Sequence, residues 1–79
     1  LMKEENYKEQ LLQYYQKEFK LTPEYISISV KGPPHNRIFT EGVLNKGGDI
    51  ISKGVGKKKQ DAQQHASLCA LKYFGVIED

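Results

Sequence analysis

The sequence has one cysteine, Cys69, no tryptophan and no apolar run near 18 residues. A lone cysteine excludes an internal disulfide, and one Cys with two widely separated His falls short of the ligand set of a zinc site. No metal or cofactor is expected. The missing apolar run excludes a membrane-spanning helix, and the acidic opening, "LMKEENYKEQ", is unlike a signal peptide. A reducing, intracellular setting is the expectation. Charge of one sign is also scarce overall, since 12 basic and 10 acidic residues leave a net +2. That balance identifies no partner, but its distribution does more. Lys53, Lys57, Lys58 and Lys59 cluster with no acid before Asp61, whereas the first 25 residues mix both signs.

At 79 residues with 38% apolar content, the chain suits one small globular domain. Asn6 can cap a helix, with Glu9 three positions on as the partner of a capping box. Tyr7, Leu11, Tyr14 and Tyr15 then recur at helical spacing, flanked by Leu12 and Phe19, and are expected to be buried. Glu9, Gln13 and Gln16 stack on the opposite face. Thr22-Pro23 ends the helix, because a residue before proline avoids the helical region.

Three strands are expected next. In "YISISVK", Tyr25 to Lys31, Ile26, Ile28 and Val30 alternate with smaller or polar residues, the pattern of a half-buried strand. "GPPHN" breaks it. "RIFTEGVL" reads as a second strand, "NKGG" as a turn and "DIISKG" as a third, and such short connections favour an antiparallel meander. By alternation Glu41 shares a face with Phe39 and Val43, so a bulge near Gly42 that turns it outward, or a less buried sheet end, is expected. From about Lys58 a second helix places Ala62, Ala66, Cys69, Ala70 and Tyr73 on one face, with Leu71 and Phe74 widening the stripe. Cys69 there behaves as a small apolar residue, and His65 falls at the surface. Gly75 suits the left-handed position after the helix end. The fold class is α+β: an α-β-β-β-α two-layer sandwich, both helices on one face of a three-stranded antiparallel sheet.

Catalysis finds no support. Gly56-Lys57 lacks the earlier glycine and following Ser/Thr of a phosphate loop, since Ile51 and Lys58 stand there. A dinucleotide fingerprint would need glycine at Lys59. Glu41, Asp49 and Asp61 are scattered, and no base stands beside a nucleophile. The chain by itself is not expected to be an enzyme.

The lysines are the positive signal. A helix N-terminus is already electropositive, so cations there are ordinarily unfavourable. One reading is that solvation makes them tolerable at a cost of a few tenths of a kcal/mol, roughly. The other is an anion site, in which dipole, amides and ammonium groups all attract phosphate. Three in a row behind Gly54 and Gly56 favour the second.

From about Asn6 to Gly75 the chain resembles a double-stranded-RNA-binding domain. The resemblance rests on "NYKEQLLQYYQ" as first helix, "GPPHNRIF" as the loop entering the second strand, and "GVGKKKQDAQQHASLCAL" as glycine turn and basic helix. It is also similar to the C-terminal arm of a ribonuclease III. The resemblance implies recognition of A-form duplex by shape, across two successive minor grooves and the phosphates between, a span of about 16 base pairs. It implies that Glu9, Gln13 and Gln16 of the first helix meet one minor groove and that Pro34 and His35 meet the next. Lys57, Lys58 and Lys59 would meet the intervening phosphates, with Gln63 alongside. Gln60 and Gln63 stand where the family usually carries lysine, and Gln13 replaces a common acid. The expected partner is double-stranded RNA, with a linked nuclease domain or sibling domains in a parent protein. The alternative is a protein-interaction or dimerisation module of the same fold with weak or no RNA binding. Few strand aromatics are available for a single-strand binder that stacks bases.

Overall fold

A computed structural model describes residues 6–78. The acidic opening, Leu1 to Glu5, lies outside the described residues. The elements follow the expected order: α1 (Tyr7–Phe19), β1 (Glu24–Lys31), β2 (Ile38–Leu44), β3 (Ile50–Gly56) and α2 (Lys59–Tyr73). The sheet is an antiparallel meander with β2 at its centre. Against it α2 lies over β3 and β2, and α1 packs on α2. The result is a flat body with extents of 40 × 37 × 20 Å.

Chain chemistry sets the ends of both helices. Asn6 caps α1, its side-chain oxygen accepting from the Glu9 N–H at 3.0 Å. The helix closes at Lys20, which adopts left-handed φ 58, so α1 stops before Thr22-Pro23 is reached. Gly75, at φ 77, terminates α2 as its type suggested. There the Val76 N–H donates to the Leu71 carbonyl at 2.9 Å and the Gly75 N–H to that of Lys72 at 3.0 Å, a Schellman closure.

The core is built from Leu11 and Tyr15 of α1, Val43 of β2, and Ala66, Ala70 and Leu71 of α2. At the C-terminal ends of the helices, Tyr14, Tyr15, Phe19 and Phe74 pack with ring centroids between 5.0 and 5.9 Å apart. Tyr14 and Tyr15 are therefore occupied in packing, as their spacing predicts. The Tyr15 hydroxyl donates to the Leu44 carbonyl at 2.9 Å, and burial pushes its pKa up to about 12, with the neighbouring phenols of Tyr25, Tyr14 and Tyr73 adding to the shift.

Three expectations are corrected. Ile26, Ile28 and Val30 do alternate, but they fall on the uncovered sheet face and stay 41%, 38% and 49% exposed. The helix-facing side of β1 is taken instead by Tyr25, whose hydroxyl pairs with Ser67 Oγ at 2.7 Å, and by Ser27, which bonds Glu41. Ile26, Ile28 and Ile50 converge over Gly42. The second correction concerns Glu41, which is not turned outward. It is 1% exposed, and although the register does shift close to Gly42, between Val43 and Leu44 against β3, and again in β1 between Ser27 and Ser29, neither shift turns it out. Third, the packing face of α2 runs through Ala62, Ala66, Ser67, Ala70 and Leu71. Cys69 is only half-buried and Tyr73, in the last turn, is 64% exposed against the Phe74 ring edge.

Candidate nucleic-acid interface

Sheet register gathers two loops at one end. Lys31 pairs with Ile38, and Phe39 pairs with Gly56. The connection from β1 to β2 and the turn from β3 into α2 therefore leave the same end of the sheet.

The first connection is a tight one. The Asn36 N–H donates to the Pro33 carbonyl at 2.9 Å, so Pro34 and His35 are the central residues of a turn, both exposed. Gly32 makes this closure possible. It has φ 98, and a Cβ there would stand 2.4 Å from the Asn36 carbonyl oxygen.

The second carries the lysines. Lys57, Lys58 and Lys59 are all exposed, with Lys58 in extended conformation as the N-cap of α2. Lys58 supplies no side-chain cap, so no N-cap oxygen offsets the positive end of the helix dipole beside the lysines. The glycines before them have another task than anion binding. A Cβ on Gly54 would lie 2.1 Å from the Ala66 nitrogen and one on Gly56 2.7 Å from that of Ala62. Their bareness lets the backbone of α2 rest on β3, and this directs the lysine-bearing end.

The N-terminus of α1 is joined to the same helix. Gln64 Oε1 accepts from the Tyr7 and Lys8 backbone N–H groups at 2.8 and 3.2 Å, and its Nε2 donates to Asn6 Oδ1 at 3.1 Å. A side chain of α2 thus satisfies amides that α1 itself leaves free. Beyond this junction Glu9, Gln13 and Gln16 are exposed, with Gln13 Nε2 donating to Glu9 Oε2 at 3.4 Å.

Beneath the junction lies a polar cluster. Glu41 Oε2 accepts from Ser27 Oγ at 2.5 Å and its Oε1 from Gln63 Nε2 at 2.9 Å. Gln63 Oε1 accepts in turn from Lys8 Nζ at 2.7 Å, and this ammonium sits 5.3 Å from the centroid of the Tyr25 ring. Burial raises the Tyr25 pKa, an effect opposed by its bond to Ser67. His65, exposed as expected, accepts on Nδ1 from the Val55 N–H of edge strand β3 at 2.9 Å.

Of the nine residues singled out in the sequence, eight are exposed: Glu9, Gln13 and Gln16 on α1, Pro34 and His35 in the first loop, and Lys57, Lys58 and Lys59 in the second. Gln63 is half-buried, its amide engaged at both ends by protein atoms. Sequence reasoning missed Lys8, Ser27 and Gln64. Their partners lie at separations of 55, 14 and 57 residues, beyond any local spacing rule. Among the described residues no group of three or more His, Cys, Asp or Glu could hold a metal ion, and no helix is long and apolar enough to cross a membrane.

The family model described as "Double-stranded RNA binding motif" matches residues 7–74. A putative protein of Paramecium bursaria Chlorella virus 1 is 39% identical over 79 residues, all of this chain and 28% of the viral protein. Ribonuclease 3 of Syntrophobacter fumaroxidans is 39% identical over 73 residues, 92% of this chain and 30% of that enzyme. Ribonuclease 3 of Bacillus velezensis is 38% identical over 66 residues, 84% of this chain and 26% of the enzyme. The chain spans less than a third of the length of these relatives.

Proposed function

Because the chain belongs to the double-stranded RNA binding motif family, we propose that it holds duplex RNA by shape, as the substrate-binding module of a larger protein. Glu9, Gln13 and Gln16 meet one minor groove, where amide groups suit 2′-hydroxyls that both donate and accept. Pro34 and His35 meet the next. Lys57, Lys58 and Lys59 neutralise the phosphates between them, and Gln63 joins the lysine-bearing helix to α1. The observation that carries this reading is the common origin of the three regions. Both loops leave one end of the sheet, through the Phe39–Gly56 pairing, and Gln64 fastens the start of α1 to the helix that bears the lysines. A rigid frame can then span two grooves of an A-form helix without reading bases.

The family match covers nearly the whole chain, so a nuclease centre belongs to a separate domain of the parent, consistent with relatives named Ribonuclease 3. An intracellular setting is part of the proposal. Titration with matched RNA, DNA and hybrid duplexes of ~20 base pairs, longer than the span of about 16, tests it. RNA binds saturably, more weakly as salt rises, and B-form DNA binds poorly. Equal affinity for RNA and B-form DNA refutes shape recognition, and no binding to either leaves the interaction-module alternative.

A further inference from the structure

Glu41 is an energetically costly choice at its position. An aliphatic side chain between Phe39 and Val43 on the helix-facing side would avoid desolvating a carboxylate. At 1% exposure it accepts two directional bonds, one from Ser27 of β1 and one from Gln63 of α2. Through Gln63 the connection continues to Lys8 of α1. One carboxylate on β2 therefore gathers all the elements that meet beneath the two contact-bearing helix ends.

The two ends of the helix pair are held by different forces. At the C-terminal end four aromatic rings pack together, an attraction with broad geometric tolerance. At the N-terminal end the Lys8–Gln63–Glu41–Ser27 chain and the Gln64 junction are hydrogen bonds, whose strength falls steeply with misalignment. α2 is tied to the sheet by bonds of its own, from Ser67 to Tyr25, from Val55 to His65 and from Ser52 to the Ala66 carbonyl, and none of these reaches α1. We infer that Glu41 is a positioning residue for two-groove engagement, acting through Gln63 and Lys8 to set the spacing between the contact face of α1 and the lysine turn of α2. The inference rests on the duplex reading above. It gives Lys8 a structural task.

The expected effect is on bivalency. A second contact adds affinity only while its distance from the first matches the ligand, and loosening the frame lowers its effective concentration. The readout is the affinity for a ~20 base-pair RNA divided by that for an ~8 base-pair RNA, the shorter being half the span of about 16. Dividing cancels any general loss of attraction for phosphate. In the 79-residue chain, Glu41→Val keeps the thermal midpoint and the short-duplex affinity, while the ratio falls about tenfold. Glu41→Gln restores the ratio, because its carbonyl can accept from Gln63 and its amide can donate to Ser27 Oγ. Lys8→Met cuts the chain of bonds at its α1 end, leaves the carboxylate satisfied, and lowers the ratio likewise, so the test survives a Glu41→Val chain that does not fold. A wild-type ratio in either Glu41→Val or Lys8→Met overturns the inference and leaves duplex binding intact, as does Glu41→Gln behaving like Glu41→Val. A wild-type chain that gains nothing from the longer duplex overturns the duplex reading and this inference together.

Discussion

Replacing Gly54 with alanine tests whether α2 is seated by bare backbone on β3. The added Cβ would stand 2.1 Å from the Ala66 nitrogen, 2.5 Å from the Ala62 carbonyl oxygen and 2.6 Å from the His65 carbonyl carbon. All three are backbone atoms, so no rotamer change relieves them. Restoring ordinary contact at ~3.5 Å or more requires α2 to withdraw by over ~1 Å. That movement loosens Ala62, Ala66 and Ala70 together. Overpacking a core with side chains that can adjust costs about 1–3 kcal/mol. A clash against rigid backbone belongs at or above the upper end, about 3 kcal/mol or more. A domain of this length has a total stability of roughly 4–12 kcal/mol, so the loss is a large share of it. The thermal midpoint, followed by circular dichroism, falls by roughly 12–24 °C. Gly47→Ala is the matched control: its nearest neighbours are the Asn45 side-chain oxygen at 3.4 Å and the Asp49 carboxylate at 4.0 Å, and it shifts stability by under ~0.5 kcal/mol. A Gly54→Ala chain melting within ~4 °C of wild type, a shift worth about 1 kcal/mol or less, would refute close backbone seating as the reason for this glycine.

Lys58→Ala/Lys59→Ala weakens RNA binding and makes the log–log salt dependence shallower by roughly two, while the melting temperature holds or rises because two cations leave a helix N-terminus. An unchanged salt slope would remove both lysines from the phosphate contact. For Tyr15 the sign follows from its raised pKa of about 12 against an ordinary 10.0. Between those values the folded chain keeps a proton that the unfolded chain has lost, so stability is intact below pH 10 and declines toward pH 12, by up to roughly 2.5 kcal/mol. Urea midpoints across that window report the decline, and Tyr15→Phe makes it shallower, leaving the part due to Tyr25, at the cost of about 1 kcal/mol for the lost bond to Leu44. Equal slopes for the two chains would contradict the assignment.

Local rules made most of the fold legible in the sequence. Asn6 and Gly75 mark helix ends by capping chemistry that acts within a few residues, and the order of elements follows from periodicities of 3.6 and 2. The exposed face of Glu9, Gln13 and Gln16, the Pro34–His35 turn and the run of three lysines were visible for the same reason. Alternation in β1 was visible too, but not which side the helices would cover. A period of two divides residues between faces without saying which face is inside, and the hydrophobic isoleucines proved to be outside while Tyr25 faced α2 and bonded Ser67.

Side-chain identity along the chain thus determined the elements, their order and the electropositive start of α2, since each depends on neighbours in sequence. Tertiary structure alone decided what Gly54 and Gly56 are for, where the carboxylate of Glu41 resides, and how Lys8, Gln63 and Gln64 fasten one helix to the other. Those outcomes depend on atoms brought together from positions 6 to 58 residues apart, and chain folding creates such neighbours where no sequence period encodes them.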